Sequence, residues 1–149
     1  MSQPQTISPT RPGWHELRAV AAIQTASFRK DLAYKWWMLA IFWRFPGVTF
    51  LVTRDGEIVT GGIIADMHRG NIRIMNIAVH PGYRRQGIGK VLMMAALDAK
   101  PYDSAVLMVQ EENKAAQALY TELGFRRSGF NASYYGAGHA GIEMRLSRD

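Results

Sequence analysis

Arg84-Arg85-Gln86-Gly87-Ile88-Gly89-Lys90 stands where two periodicities meet. Just upstream, Ile72-Arg73-Ile74-Met75-Asn76-Ile77-Ala78-Val79 has the residue types of a strand; downstream, Gly87 to about Ala99 has the apolar spacing of a helix. A chain that turns on glycines into a helix exposes the unpaired N–H groups of the first turn and the positive end of the helix dipole. It also lets the backbone approach a ligand closely. The stretch therefore predicts a diphosphate cradle, with a turn that merely starts a helix as the plain alternative. Two familiar cradles do not fit. Gly82 and Gly87 have the spacing of a phosphate-binding NTPase loop, but Ile88-Gly89 follows where Lys and Ser or Thr are required. A dinucleotide fingerprint needs Gly or Ala at 92, which is Leu92, and a run of parallel strand-helix-strand units that the flanking pattern lacks.

Working outward, the period is two on the N-terminal side. Val48 to Thr53 and Glu57 to Ala65 flank Arg54-Asp55-Gly56, a hairpin signal, and Arg69-Gly70-Asn71 marks a second turn before the strand at Ile72. Three antiparallel strands in meander order are predicted. Before them, helices are predicted over Trp14 to Phe28 and from Asp31, as its cap, to about Arg44. The second is apolar nearly all round, which implies burial or a hydrophobic groove. An extended arm with a short strand near Ile7 precedes both. On the C-terminal side, Ser104 to Val109 reads as a buried strand and Asn113 to Leu123 as a helix capped by Asn and stopped by Gly124. Phe125 to Ser133 and Gly141 to Leu146 complete a sheet.

Composition bounds the classes. The 149 residues read as one domain, 1–149, and 48% hydrophobic against 20% charged residues excludes intrinsic disorder. The longest apolar run, Trp36 to Trp43, is short of the ~20 residues of a membrane span. Without Cys there are no disulfides and no thiolate metal sites, and Met1 to Thr6 lacks the pattern of a secretory signal, so a cytoplasmic location is expected. The net charge is +6, and no acid occurs between Asp66 and Asp98, where Arg69, Arg73, Arg84, Arg85 and Lys90 cluster. An anionic ligand is favoured there.

Arg84-x-x-Gly87-x-Gly89 resembles the pyrophosphate loop of the GNAT superfamily of acetyl-CoA-dependent N-acetyltransferases. The likeness extends through Asn76-Ile77-Ala78-Val79-His80-Pro81, Tyr83, Asn113, Ala115-Ala116, Leu119-Tyr120 and Leu123-Gly124-Phe125, covering roughly Ile72 to Met144. Tyr134-Tyr135 followed by Ile142-Glu143-Met144 is similar to the C-terminal segment of ribosomal-protein alanine and related protein N-terminal acetyltransferases. The resemblance implies an α/β fold of the α+β type: a twisted, mostly antiparallel sheet of about six or seven strands, splayed at its centre and flanked by about four helices.

It also implies roles. The cofactor would be acetyl-CoA, as acetyl-donating co-substrate, without a metal. Arg84 and the backbone N–H groups of Arg85, Gln86, Gly87, Ile88, Gly89 and Lys90 would receive its pyrophosphate. Ile77 and Val79 would offer strand-edge groups to the acetyl and pantetheine arm, although their side chains alone read as core. Asn113, fully explained as a helix cap, would add a hydrogen bond to the pantetheine. Tyr120, which spacing alone would assign to the core, would be the general acid for the departing thiolate. Tyr134 and Tyr135 would wall an acceptor groove, or simply pack.

The general base has no candidate where the family places one. Those positions are Arg73 and Met108, and the nearest alternatives, His68, His139, Glu111 and Glu112, read as solvated loop residues. Deprotonation is left to water. At pH 7 about 14% of an α-amine of pKa ~7.8 is neutral, against about 0.04% of a lysine of pKa ~10.4, a ~300-fold advantage worth roughly 3.4 kcal/mol. The expected reaction is direct acetyl transfer to a primary amine, a peptide or protein N-terminal α-amine. The alternatives are a small-molecule amine acceptor or, in another class, a non-catalytic CoA-sensing or nucleic-acid-binding module. An amine acceptor is the expected partner, rather than nucleic acid or membrane, for a monomer or homodimer.

Overall fold

The computed structural model describes residues 8–148. The strand expected near Ile7 lies outside them; within them, Thr10 bridges Val52. A single turn of tighter helix at Trp14–Glu16 runs into α1 (Leu17–Ser27), followed by α2 (Trp36–Arg44), β1 (Val48–Asp55), β2 (Ile58–His68) and β3 (Asn71–Val79). Then come α3 (Ile88–Asp98), β4 (Ser104–Gln110), α4 (Lys114–Glu122), β5 (Arg126–Asn131) and β6 (Gly141–Ser147). The strands form one six-stranded sheet in the order β1-β2-β3-β4-β6-β5, antiparallel throughout except for β3 against β4. The meander and both turns stand as predicted: Gly56 closes the first at φ 59°, Arg69 and Gly70 the second at φ 52° and 82°.

Two apolar clusters sandwich the sheet. Leu92, Met93 and Leu97 of α3, with Tyr120 of α4, pack on Ile63, Ile74, Leu107 and Met144. Leu17, Val20 and Ile23 of α1, with Leu39 of α2, pack on Phe50, Val52, Ile64 and Ala78 of the other face. That second cluster includes no residue of β4, β5 or β6, so among the described residues no helix covers this face of the sheet's C-terminal half.

Two expectations need correction. The second helix starts at Trp36, not at Asp31, because Asp31 pairs with Arg29 at 3.2 Å instead of capping, and Lys35 takes the N-cap position in extended conformation. Its apolar surface is buried on one side only, through Leu39. Trp37, Ile41 and Phe45, four residues apart, face outward at 50%, 49% and 61% exposure. No helix among the described residues is long and apolar enough to cross a membrane.

Candidate functional site

The parallel contact between β3 and β4 is short. It pairs Asn71 to Ile74 with Ser104 to Leu107 and then stops, and at that level Met75 is left unpaired opposite β2, where the register jumps between Ile64 and Ala65. The extra residue bends β3 away, opening a cleft at the centre of the sheet. The N–H of His80 donates to Thr60 O at 2.8 Å, which makes Thr60 and His80 a hydrogen-bonded pair of the β2–β3 ladder. By alternation Asn76 and Ala78 also bond to β2, whereas Ile77 and Val79 turn their N–H and C=O into the cleft. Their side chains lie against the α3-side core, as their apolar character demands.

The glycine loop borders the Val79 end of the cleft. Gly61, the partner of Val79, has no room for a Cβ, since Ile88 and Leu92 would each lie 3.0 Å from it; α3 therefore seats directly on β2. The helix begins after Gly87, whose φ of 80° follows Arg85 at 63°, and no side chain caps the first turn. The first helical bond is from Val91 N–H to Gly87 O, so the donors of Ile88, Gly89 and Lys90 precede the ladder. Nothing lies within 4 Å of where a Gly87 Cβ would be, leaving open space beside those donors. This combination fits the diphosphate of acetyl-CoA. Gly89 serves another purpose: its missing Cβ would sit 3.2 Å from Leu119 of α4, so it permits close packing of the two helices.

Most side chains of the loop are exposed, and several are tied back to the fold. Arg84 reaches Val79 O and Ser27 Oγ, both at 3.3 Å, and Lys90 pairs with Glu122 at 2.9 Å. Tyr83 donates to Asp55 at 2.9 Å, fastening the loop to the β1–β2 turn. Asn113 caps α4 by accepting from Ala116 N–H at 3.1 Å, and Gln117 donates to Gln110 O and Glu111 O, holding α4 to the end of β4. Tyr120 is 6% exposed beside Phe125, and burial pushes its phenol up to about 12. The hydroxyl has no hydrogen-bond partner among the described residues. No fully buried side-chain polar atom among the described residues is left unpaired, so it lies at the rim of the core rather than sealed inside it.

The far side of the cleft joins Arg73, Met108, Tyr134 and Tyr135, expected there from the sequence, to Asp66, Arg29 and Tyr34, which were not. Arg73 forms a two-pronged pair with Asp66, its partner across the β2–β3 ladder. Met108 Cε and the Cβ of Tyr134 converge on Gly141, which has no room for a side chain. Tyr134 and Tyr135, in the β5–β6 connection, meet edge to face at 4.8 Å, and Arg29 of the α1–α2 connection donates to Tyr135 O. Tyr34, from the same connection, and Tyr135 are both shifted up, chiefly by burial and then by Tyr134. Two loops remote in sequence thus close around one rim. Neither Tyr34 nor Arg29 carried a signal in the sequence, whereas Asp66 did: a two-residue turn at Arg69-Gly70 puts 66 opposite 73. The other suggested bases stay outside. His139 and Glu112 form an exposed pair at 3.8 Å, and His68 ends β2 at the sheet's opposite end.

Residues 14–125 match the model of the acetyltransferase (GNAT) family. The ribosomal protein bS18-alanine N-acetyltransferase of Escherichia coli K12 is 32% identical over 91 residues, 59% of this chain and 61% of that protein. N-alpha-acetyltransferase 30 of Xenopus laevis is 36% identical over 110 residues, 68% of this chain and 40% of that protein. The chain thus spans less than two thirds of these relatives' length. Ard1 from Thermoplasma volcanium superposes with a TM-score of 0.85 at 24% identity, covering 95% of this chain and 97% of that one, and has the same fold.

Proposed function

The chain belongs to the acetyltransferase (GNAT) family, and on that premise we propose that it transfers an acetyl group from acetyl-CoA to the α-amine of a polypeptide N-terminus. The observation that carries this reading is the parting of β3 and β4 after Ile74 and Leu107, beside a helix that starts without a side-chain cap. When bound, acetyl-CoA supplies an activated acetyl thioester. Around it, the first-turn N–H groups of α3 hold the pyrophosphate, and the cleft-facing N–H and C=O of Ile77 with the N–H of Val79, whose C=O already accepts from Arg84, pair with the arm as an added strand would. Tyr120, whose pKa of about 12 keeps its proton at any working pH, donates a hydrogen bond toward the developing negative charge at the sulfur.

The acceptor side explains the choice of amine. Arg73 and Met108 occupy it, and both carboxylates beside them are engaged: Asp66 is held by Arg73, and Glu143, opposite Met108 across the β4–β6 ladder, accepts from Ser128 and lies 3.7 Å from Arg145. Nothing there raises the neutral fraction of the acceptor, so an amine of low pKa is favoured by the ~300-fold derived from protonation alone. Tyr34, Tyr134 and Tyr135 wall the approach. The reaction is assigned to the cytoplasm and to 1–149 as one catalytic domain. The test is mass spectrometry of products with acetyl-CoA and a mixture of peptides bearing either a free α-amine or a blocked α-amine and a free lysine. Acetylated α-amines are expected; acetylation confined to polyamines or lysines would refute the acceptor assignment.

A further inference from the structure

The sheet face left without a helix carries a row of arginines at one level. Arg73 of β3 is in register with Val106 of β4, Val106 with Arg145 of β6, and Arg145 with Arg126 of β5. Residues in register share a face, so the row runs from beside the acceptor rim to the sheet's edge. Acids interrupt it. Asp66 holds Arg73, and Glu143 lies 3.7 Å from Arg145 while accepting from Ser128. Toward the edge the balance changes. A concavity of about 510 Å³ is lined by Gly124, Arg126, Arg127, Ser128, Arg145 and Ser147, with no acid in its wall. Arg126 makes no ion pair among the described residues.

Arg126 directly opposite Arg145 is a like-charge cross-strand pair, which destabilises a hairpin. One edge charge would be enough to discourage strand-to-strand aggregation. Two guanidinium groups in register, with the Ser147 hydroxyl beside them and Ser128 already donating to Glu143, instead suit a carboxylate that arrives from outside. Resting on the acetyl-transfer reading, we propose that this concavity binds an acidic side chain of the acceptor polypeptide, downstream of the amine being acetylated. The spacing gives the position. From Ile77 to Arg73 is four residues at ~3.3 Å, and from β3 to β5 three strand spacings of ~4.8 Å, so the path is ~19 Å. An extended acceptor covers that in about six residues. The acceptor class is thus a polypeptide with Asp or Glu near its sixth position.

Two ten-residue peptides with a free α-amine, identical but for Asp-Glu or Asn-Gln at positions six and seven, test this through KM. Fluorescence anisotropy of the same acidic peptide with its amine blocked reads binding without turnover. The wild type should prefer the acidic peptide about 5- to 10-fold in both. Arg126→Gln and Arg145→Gln should each remove most of that preference, and Arg126→Glu should reverse it. Equal affinity for the two peptides, or a preference that survives both substitutions, overturns the proposal. So does an RNA oligonucleotide that displaces the labelled peptide at lower concentration through the same two arginines. Loss of acetylation of both peptides with anisotropy intact would instead count against the acetyl-transfer reading alone.

Discussion

Gln24 of α1 and Asn76 of β3 exchange amide hydrogen bonds, Gln24 Nε2 to Asn76 Oδ1 at 2.6 Å and Asn76 Nδ2 to Gln24 Oε1 at 3.0 Å. Gln24 is 2% exposed, and its Oε1 also accepts from the Tyr34 N–H at 3.4 Å. The pair therefore ties the cleft strand, just past its bend, to the loop that carries the acceptor wall.

Asn76→Leu should destabilise the fold by about 1–3 kcal/mol, because it leaves the Gln24 amide buried without its partner. Adding Gln24→Leu should recover part of that loss, since the buried amide is then gone and only the Tyr34 N–H loses its acceptor. Urea unfolding of the two single variants and the double variant measures the coupling. With the loop freed, KM for a peptide acceptor should rise more than KM for acetyl-CoA.

Gly87 and Gly89 should respond differently to a side chain. Gly87→Val must adopt φ 80° and fill the space beside the first-turn donors, so it should abolish stabilisation of the fold by acetyl-CoA. Gly89→Ala meets only Leu119 and should cost mainly stability. Melting curves with and without acetyl-CoA separate the two. Equal ligand-induced shifts in Gly87→Val and wild type would remove the loop from the binding site.

Tyr120→Phe should lower kcat by ~10²-fold while leaving acetyl-CoA affinity within a few-fold, since only the hydroxyl is lost and the ring still packs on Phe125. The phenol's high pKa adds a pH signature. The wild-type rate should climb as the acceptor amine deprotonates and then stay level, with no fall attributable to Tyr120 until about pH 12. A descending limb near pH 9 that vanishes in Tyr120→Phe would contradict the shift.

Glu16 grips Arg54 with both oxygens at 2.7 Å and accepts from Gly13 N–H at 2.9 Å. The hydrogen bond from Arg54 is the main reason its carboxyl falls to about 2, from an ordinary 4.5. A carboxyl lower in the folded than in the unfolded chain stabilises fully above pH ~4.5 and loses that contribution as pH drops through 2. Glu16→Gln should therefore cost about 1.5–3 kcal/mol at pH 7 and much less near pH 2. Unfolding at the two pH values decides it; a constant difference would mean that charge is not involved.

Local pattern determined much of this protein. Alternation predicted β1, β2 and β3, and the Asp55-Gly56 and Arg69-Gly70 turns set their meander, because each depends on residues only a few positions apart. The helix cap at Asn113 and the loop from Arg84 to Lys90 were legible for the same reason, since their donors and glycines lie within one turn of chain. Tertiary structure alone decided the rest. The bend at Met75 and the parting of β3 from β4 depend on partners tens of residues away, among them the amide of Gln24 across from Asn76. So does the meeting of Arg29 with Tyr135, 106 positions apart, which brings two loops to one rim. Periodicity reports which side of an element is buried. It does not report which distant element does the burying, and the acceptor wall and the arginine row exist only through that choice.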